Sequence, residues 1–340
     1  MTSNVTIVVP TYNRPTELAR LLAFFRDVEN EYPVLVLDGS SSAAKALNRP
    51  VVRECASATH LEYPAELHLG LRIASGLAHV NTEYVVICPD DDFVVPESVS
   101  RCADFLSGHP GYSAAMGRIV ALAYSSRIPI LKRGFRLIDV LSLDYNLGHR
   151  SFVRRILHLV ALTFSGCPPL FYSVRRTKQA IEAFSLVKGD MKYSSMELLV
   201  NSMTLLQGKA GVLPVFFGLR DYSSETTRDP IRDDPMHYFT RQDLEYIRSL
   251  IVPMMQQRES LPSEVARHAA SLLLDQYYAE DNPGELQPDR PAPNFAEKLG
   301  WVREMLISIF LPGLLAKRLR INRRVIVSLR RALQSHHRAQ

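Results

Sequence analysis

The sequence predicts an α/β protein built on a doubly wound mixed sheet, with a helical extension toward its C-terminal end. Three short apolar runs, at residues 5–9, 34–37 and 84–88, lack polar alternation, as expected for strands that are covered on both faces. Segments with apolar residues at helical spacing lie between these runs, which is the pattern of β-α-β units.

The elements of the first half follow from apolar spacing and from proline positions. Pro15 suits the first turn of a helix, because its missing N–H is not needed there. Pro96 suits the start of another helix, directly after the third apolar run. The predicted strands are 5–9, 34–37, a short one around 51–53, and 84–88, and the predicted helices are 15 to about 27 and 68–80.

The second half is predicted to mix strands and helices and then to become helical. Strands are expected at 112–123, 169–175 and 212–218, and helices from about 177 and at 194–208, 237–258 and 261–279. We divide the chain into a main α/β domain at 1–222, a helical extension at 223–280, a Pro-rich linker at 281–296 and basic amphipathic C-terminal helices at 297–340. Within the first domain we distinguish a first half at 1–110 and a second half at 111–222.

Composition and charge are those of an ordinary globular protein. The chain has 340 residues, of which 46% are hydrophobic and 22% charged. Residues 305–340 contain eight Lys or Arg and no acid, more than the whole net charge of +5, so the remainder carries −3. The basic character therefore belongs to the C-terminal end, and we expect no nucleic-acid partner.

Several features predict a cytoplasmic location. The four cysteines form no CxxC pair, which favours free thiols in a reducing compartment over a zinc site. We expect neither a signal peptide nor an apolar run of the ~18 residues that cross a membrane. The basic C-terminal helices, beside apolar residues at 301–311, either lie on the anionic inner face of the cell membrane or dock on the protein body.

Acidic residues follow two of the predicted strands. Asp38 follows the second run, and Asp90, Asp91 and Asp92 follow the third. In open α/β sheets ligands bind at the carboxyl ends of strands. Three adjacent acids repel one another, and a divalent cation with oxygen ligands would relieve that repulsion. The alternative is a solvated acidic turn between a strand and a helix.

These motifs resemble those of the family 2 inverting glycosyltransferases of the GT-A fold. The resemblance lies in VVPTYNRP, in DGS after the second strand and in EYVVICPDDDF, while PLFYSVR before a helix resembles a bacterial branch associated with surface polysaccharides. It implies an enzyme that moves a sugar from a nucleotide-diphosphate sugar to a hydroxyl of a glycan or lipid-linked acceptor. It also implies a divalent cation, Mn²⁺ or Mg²⁺, as cofactor.

The resemblance implies that 1–222 is the glycosyltransferase domain, with 1–110 as its nucleotide half and 111–222 as its acceptor half. It also assigns roles to individual residues. Nucleotide binding is assigned to Pro10, Tyr12, Arg14, Asp38 and Asp90, with Asp38 contacting the base. Metal binding is assigned to Asp91 and Asp92. Pro89 stands where many members have a further Asp, so the sharing of the cation among the three acids stays open.

The general base is not assigned by the resemblance, because Ser194 and Ser195 occupy the place of the family's Glu-Asp pair. A carboxylate suits the role, since it must accept the proton of the attacking hydroxyl. Glu197 is the first candidate and Asp190 the second. Glu197 equally suits the positive end of a helix, with no catalytic role.

Two other functions stay open. A nucleotidyltransferase that makes the activated sugar would carry a Gly-rich loop after the first strand, whereas PTYNRP has no glycine. A catalytically silent nucleotide- or glycan-binding protein of the same fold would explain the missing Glu-Asp pair. Arginines between 127 and 164 either contact an anionic acceptor or cover solvated helix faces.

Overall fold

The computed structural model describes residues 4–124, 135–141, 147–155, 170–221, 239–281, 324–325 and 327–328. The strands in these ranges are β1 Val5–Thr11, β2 Val34–Asp38, β3 Ala58–Glu62, β4 Tyr84–Ile87, β5 Phe93–Val94, β6 Tyr112–Tyr124, β7 Phe135–Leu141, β8 Val174–Arg176 and β9 Lys209–Asp221. The helices are α1 Pro15–Asp27, α2 Ser42–Arg53, α3 Leu69–Leu77, α4 Pro96–Gly108, α5 Thr177–Phe184, α6 Tyr193–Gln207, α7 Arg241–Glu259 and α8 Ser263–Asp281, with a 3₁₀ turn at Leu170–Tyr172.

These strands form one mixed sheet in the order β3-β2-β1-β4-β8-β6-β9-β5, and β7 pairs with β6. The first four strands in that order are parallel. β8 runs antiparallel to both of its neighbours, and β6 and β9 run parallel to each other. The predicted doubly wound mixed α/β fold is therefore confirmed.

The apolar runs of the sequence form the centre of the sheet. β2 and β4 are buried along their whole length, and so is β1 except at Pro10. α1 packs on the sheet through Leu18, Leu21 and Phe25, which are all fully buried. Their spacing of three and four residues places them on one helical face, so the core follows directly from the sequence pattern.

The predicted third strand around 51–53 is wrong, because these residues end α2. Ser41 caps that helix by accepting from the Ala44 N–H at 3.4 Å. Ala44, Asn48 and Val52 are buried at a spacing of four residues, which is a helical period. The actual third strand, β3, ends the sheet and is only partly buried, so it has no apolar run that would reveal it.

The predicted strand at 169–175 is wrong for most of its length, because Leu170–Tyr172 form a 3₁₀ turn and β8 covers only Val174–Arg176. The remaining elements lie within a few residues of their predicted bounds, but other predictions fall outside the described residues. These include the linker at 281–296, apart from Asp281, and most of 297–340.

At residue 324 the chain contacts the body, where Arg324 donates to the Asp27 carbonyl at 2.9 Å and Val325 is buried. Such contacts are expected if the C-terminal helices dock on the protein body. The domain boundaries and a membrane contact of these helices stay predictions. In the part that the structure describes, no helix is both long and apolar enough to span a bilayer.

A buried ion pair fixes the end of β9 against α1. Arg20 donates to Asp221 at 2.7 Å, and the two side chains are 2% and 0% exposed. The same guanidinium donates to the Asp91 carbonyl at 3.1 Å, and the Asp221 N–H donates to Asp92 Oδ1 at 3.1 Å. Arg20 and Asp221 therefore hold the acidic segment in place on the sheet.

We expect Arg20→Met to lower the free energy of unfolding by about 3–5 kcal/mol, because it takes the guanidinium away from a buried carboxylate. Urea denaturation followed by circular dichroism measures the change. Arg101→Met is the control, since Arg101 pairs with Glu97 where both side chains are 52% exposed, and it should change stability by less than about 1 kcal/mol. Equal effects of the two substitutions would contradict the prediction.

Candidate active site

A cavity of about 720 Å³ opens at the carboxyl ends of β1 and β4. One wall is formed by the segments that follow these strands, and the other by α6 and the Leu170–Tyr172 turn. The predicted site residues that line it are Pro10, Tyr12, Arg14, Asp90 and Glu197. Asp38, Asp91, Asp92 and Asp190 are not among its lining residues. The strand-end wall and the α6 wall thus bring two groups of predicted residues to one space.

The loop after β1 is fixed to the loop after β2. Asn13 has a φ of 56°, a left-handed conformation that Asn tolerates better than most residues. Its N–H donates to Ser40 Oγ at 2.8 Å, and its Oδ1 accepts from the Ser41 N–H at 2.9 Å. Tyr12, one residue earlier, is 49% exposed and lines the cavity. The loop therefore presents an aromatic ring from a rigid backbone.

The three acids after β4 point to two different partners. Arg14 Nη1 lies 2.8 Å from Asp91 Oδ2 and 3.2 Å from Asp90 Oδ1. Thr11 Oγ1 donates to the other oxygen of Asp90 at 2.6 Å. Asp92 instead has Oδ2 3.4 Å from Arg220 Nε. The structure thus groups Asp91 with Asp90 and turns Asp92 toward β9.

Ionisation of the acidic segment is unfavourable despite its arginines. Burial raises the pKa of Asp90 to about 7, aided by Asp91 and opposed by Arg14. Burial likewise raises the pKa of Asp92 to about 7, opposed by Arg220. Among the described residues, no three His, Cys, Asp or Glu side chains form a group arranged to hold a metal ion. Asp90 and Asp91 nevertheless converge on one point, which the positive charge of Arg14 occupies.

Asp38 is enclosed by the protein. It is 0% exposed, and it accepts from the Ser40 N–H and from Asn48 Nδ2, both at 2.8 Å. His60 Nε2 lies 3.0 Å from the same carboxylate. Burial would raise the pKa of Asp38, but the hydrogen bonds from His60, Ser40 and Asn48 hold it well below its ordinary value. Asp38 therefore stabilises the turn at Ser40 and Ser41, whose hydrogen bonds hold Asn13.

Arg72 on α3 also lines the cavity, although it belongs to none of the sequence motifs. Its guanidinium donates to the Thr11 carbonyl at 2.8 Å and lies 5.7 Å from the centre of the Tyr12 ring. Arg72 is 4% exposed, and burial lowers its pKa. A Cβ at Gly39 would lie 1.9 Å from Arg72 Nη1, so this glycine leaves the room that the guanidinium needs. A charged residue on the buried face of a Gly-containing helix was the available signal.

The α6 wall distinguishes the two candidates for the base. Glu197 lines the cavity, and Tyr172 OH donates to its Oε1 at 3.4 Å. Burial raises the pKa of Glu197, and Arg220, Tyr172 and Arg175 oppose that shift. Asp190 is exposed in the segment before α6 and does not line the cavity. Only Glu197 is thus brought to the space between the two walls.

Arg155, one of the arginines considered for an anionic acceptor, has a structural partner instead. Its Nε and Nη2 donate to the Leu205 carbonyl at 3.2 and 2.7 Å, near the C-terminal end of α6. Nη1 donates to the His149 carbonyl at 2.6 Å. Arg155 therefore satisfies carbonyl groups at a helix end, a role in which a cation is favourable.

We expect Asp92→Asn to stabilise the metal-free protein more at pH 8 than at pH 5, with a difference above about 1 kcal/mol. The folded pKa of Asp92, about 7, exceeds the unfolded value of about 4. Between these values the folded state binds the extra proton, so rising pH removes stability from the wild type but not from the variant, whose amide does not titrate. Urea denaturation in EDTA measures this, with Asp104→Asn, at an exposed position, as control. A difference independent of pH would contradict it.

Comparison with known proteins agrees with this architecture. Residues 6–162 match the profile of glycosyl transferase family 2. S. aureus TarS 1–349 in complex with UDP-GlcNAc superposes with a TM-score of 0.57 at 14% identity, over 99% of this chain and 92% of that one. The longer S. aureus TarS structure gives 0.55 at 13% identity, over 95% of this chain and 50% of that one, so this chain spans half its length. No curated protein matches significantly. Residues 6–162 are therefore similar to glycosyl transferase family 2, and the chain shares a GT-A-like mixed α/β fold with the TarS structures.

Proposed function

We propose that this chain moves a sugar from a nucleotide-diphosphate sugar to a hydroxyl of a glycan or lipid-linked acceptor, with a divalent cation and with inversion at the anomeric carbon. Its biological role would be the synthesis of a cell-surface polysaccharide or glycoconjugate. The observation that carries the proposal is the single cavity to which Arg14 and Asp90 come from one wall and Glu197 from the other.

The strand-end wall suits the nucleotide. The exposed ring of Tyr12 offers a stacking surface for a base, and the Arg72 guanidinium beside it offers donors to a base carbonyl or a phosphate. Pro10 and Arg14 complete this wall. The base contact assigned to Asp38 stays a prediction. The TarS complex makes UDP-GlcNAc a natural first probe.

The acidic segment suits a divalent cation. Asp90 and Asp91 already direct oxygens at one positive charge, and carboxylate oxygens are the ligands that Mg²⁺ and Mn²⁺ prefer. Asp91 is our principal ligand, with Asp90 beside it. Asp92 would join them only by turning from Arg220. A bound cation would neutralise charge on the departing diphosphate.

The α6 wall suits proton transfer. Glu197 would accept the proton of the acceptor hydroxyl as its oxygen attacks the anomeric carbon, and Tyr172 would orient the carboxylate. Burial raises the pKa of Glu197, which makes it a stronger base once ionised. A base that acts directly on the acceptor implies one displacement and therefore inversion. Asp190 remains the second candidate.

A nucleotide panel tests the donor site. We expect UDP, GDP or their sugars to raise the melting temperature in Mn²⁺ or Mg²⁺, because a cation held by Asp91 and Asp90 would offset the negative charge of the diphosphate. EDTA and Asp91→Ala should abolish this shift, and Gly39→Ala should weaken it by displacing Arg72. Asp104→Ala, at an exposed position, is the matched control. No shift with any nucleotide, or a shift that EDTA leaves intact, would contradict the proposed site.

A second experiment tests the base. We expect Glu197→Gln to keep nucleotide affinity within about twofold and to lower turnover about 10²–10⁴-fold, as loss of a general base does. Release of nucleoside diphosphate from the sugar nucleotide that the panel selects measures turnover, and Asp190→Asn should change it little. The reverse result would move the role to Asp190.

Nucleotide binding without transfer or donor hydrolysis would indicate a silent binding protein, and pyrophosphate formation from a nucleoside triphosphate and a sugar phosphate would indicate a nucleotidyltransferase.

A further inference from the structure

Arg175 is a buried cation that no step of the proposed reaction uses. It lies on β8 and is 2% exposed. Nη2 donates to the Leu170 carbonyl at 2.8 Å and to Asn201 Oδ1 at 3.2 Å. Nε and Nη1 are buried without a hydrogen-bond partner among the described residues, where no carboxylate lies within ion-pair distance either. A guanidinium left in this state is destabilising unless another charge offsets it.

The two hydrogen bonds of Arg175 connect the two parts of the α6 wall. Leu170 begins the 3₁₀ turn that ends at Tyr172. Asn201 lies one helical turn beyond Glu197, so the two side chains share one face of α6. Because one nitrogen bonds both groups, Arg175 sets the distance between the turn and the helix. That distance determines the contact of Tyr172 with Glu197.

Electrostatic interactions also connect Arg175 with Glu197. Burial lowers the pKa of Arg175 to about 9, and the attraction of Glu197 opposes that shift. The charged and titratable groups that face Glu197 are Tyr172 from the 3₁₀ turn, Arg220 from β9 and Arg175 from β8. Arg220 also lies beside Asp92. Arg220 therefore acts on both Glu197 and the acidic segment, whereas Arg175 acts on Glu197.

We propose that Arg175 is the positioning residue of Glu197, tying the Leu170–Tyr172 turn to α6 and supplying a buried positive charge that favours the ionised form of the Glu197 carboxylate. The inference rests on the proposed function only in naming Glu197 as the base. The hydrogen bonds from Arg175 to the Leu170 carbonyl and to Asn201 do not depend on the substrate.

The test is a direct titration of Glu197 in the full chain without ligand. Infrared difference spectra between pH values record protonation of buried carboxyl groups, and Glu197→Gln identifies the Glu197 band. We expect Arg175→Met to raise the midpoint of this band by about 1 pH unit or more, because removing a nearby positive charge disfavours the ionised form. Arg175→Lys keeps the charge and should shift the midpoint by less than half as much.

The matched control is Arg155→Met, which removes another buried arginine from the opposite end of α6. It should lower the melting temperature without moving the Glu197 band. If Arg175→Met does not fold, Arg175→Gln retains a donor for the Leu170 carbonyl and carries the same expectation. An unchanged midpoint in the neutral Arg175 variant, or an equal shift in the Arg155 variant, overturns the proposal.

The titration also separates this inference from the proposed function. The titration needs neither the sugar donor nor the acceptor substrate. An unchanged midpoint of the Glu197 band therefore refutes the role of Arg175 and leaves the binding and turnover tests unaffected. Normal turnover by Glu197→Gln, together with a shifted band in Arg175→Met, would refute the base and keep the link.

Discussion

The crowding of three carboxylates after β4 is the constraint on which the site depends. Buried like charges are unfavourable unless cations or hydrogen bonds offset them. This chain brings Arg14 to Asp90 and Asp91, and Arg220 to Asp92. These arginines come from the loop after β1 and from the end of β9. The positions of both segments are therefore coupled to the charge of the acidic segment as well as to the apolar core.

Much of the fold was accessible from sequence because its central strands are buried on both faces. Continuous apolar runs identified β1, β2 and β4, and proline identified the starts of α1 and α4. β3 was missed because it ends the sheet, where partial exposure removes the apolar signal. Neighbouring Val51 and Val52 look like a strand in isolation, but one of them belongs to the buried face of α2.

The candidate site was predictable only in part. Residues at strand ends led to Pro10, Tyr12, Arg14 and Asp90, which all line the cavity, while their roles stay predictions. The partners of each acid were not predictable, because neighbouring carboxylates point in different directions that depend on tertiary contacts. Arg175 was also beyond sequence reasoning, because its importance comes from burial without a carboxylate partner among the described residues, and sequence spacing carries no trace of that. For Arg72 the sequence offered only its place on a Gly-containing helix.

The pair formed by Arg20 and Asp221 joins residues that are 201 positions apart. Thr11 and Asp90, 79 positions apart, likewise meet only in the assembled sheet. Contacts of such high contact order form slowly, since the chain entropy of closing long loops is lost before the contacts can compensate. The acidic segment consequently cannot take its final form on the ribosome until β9 has emerged. A chain that stopped before Asp221 would retain the motifs of a nucleotide site without the contacts that shape it.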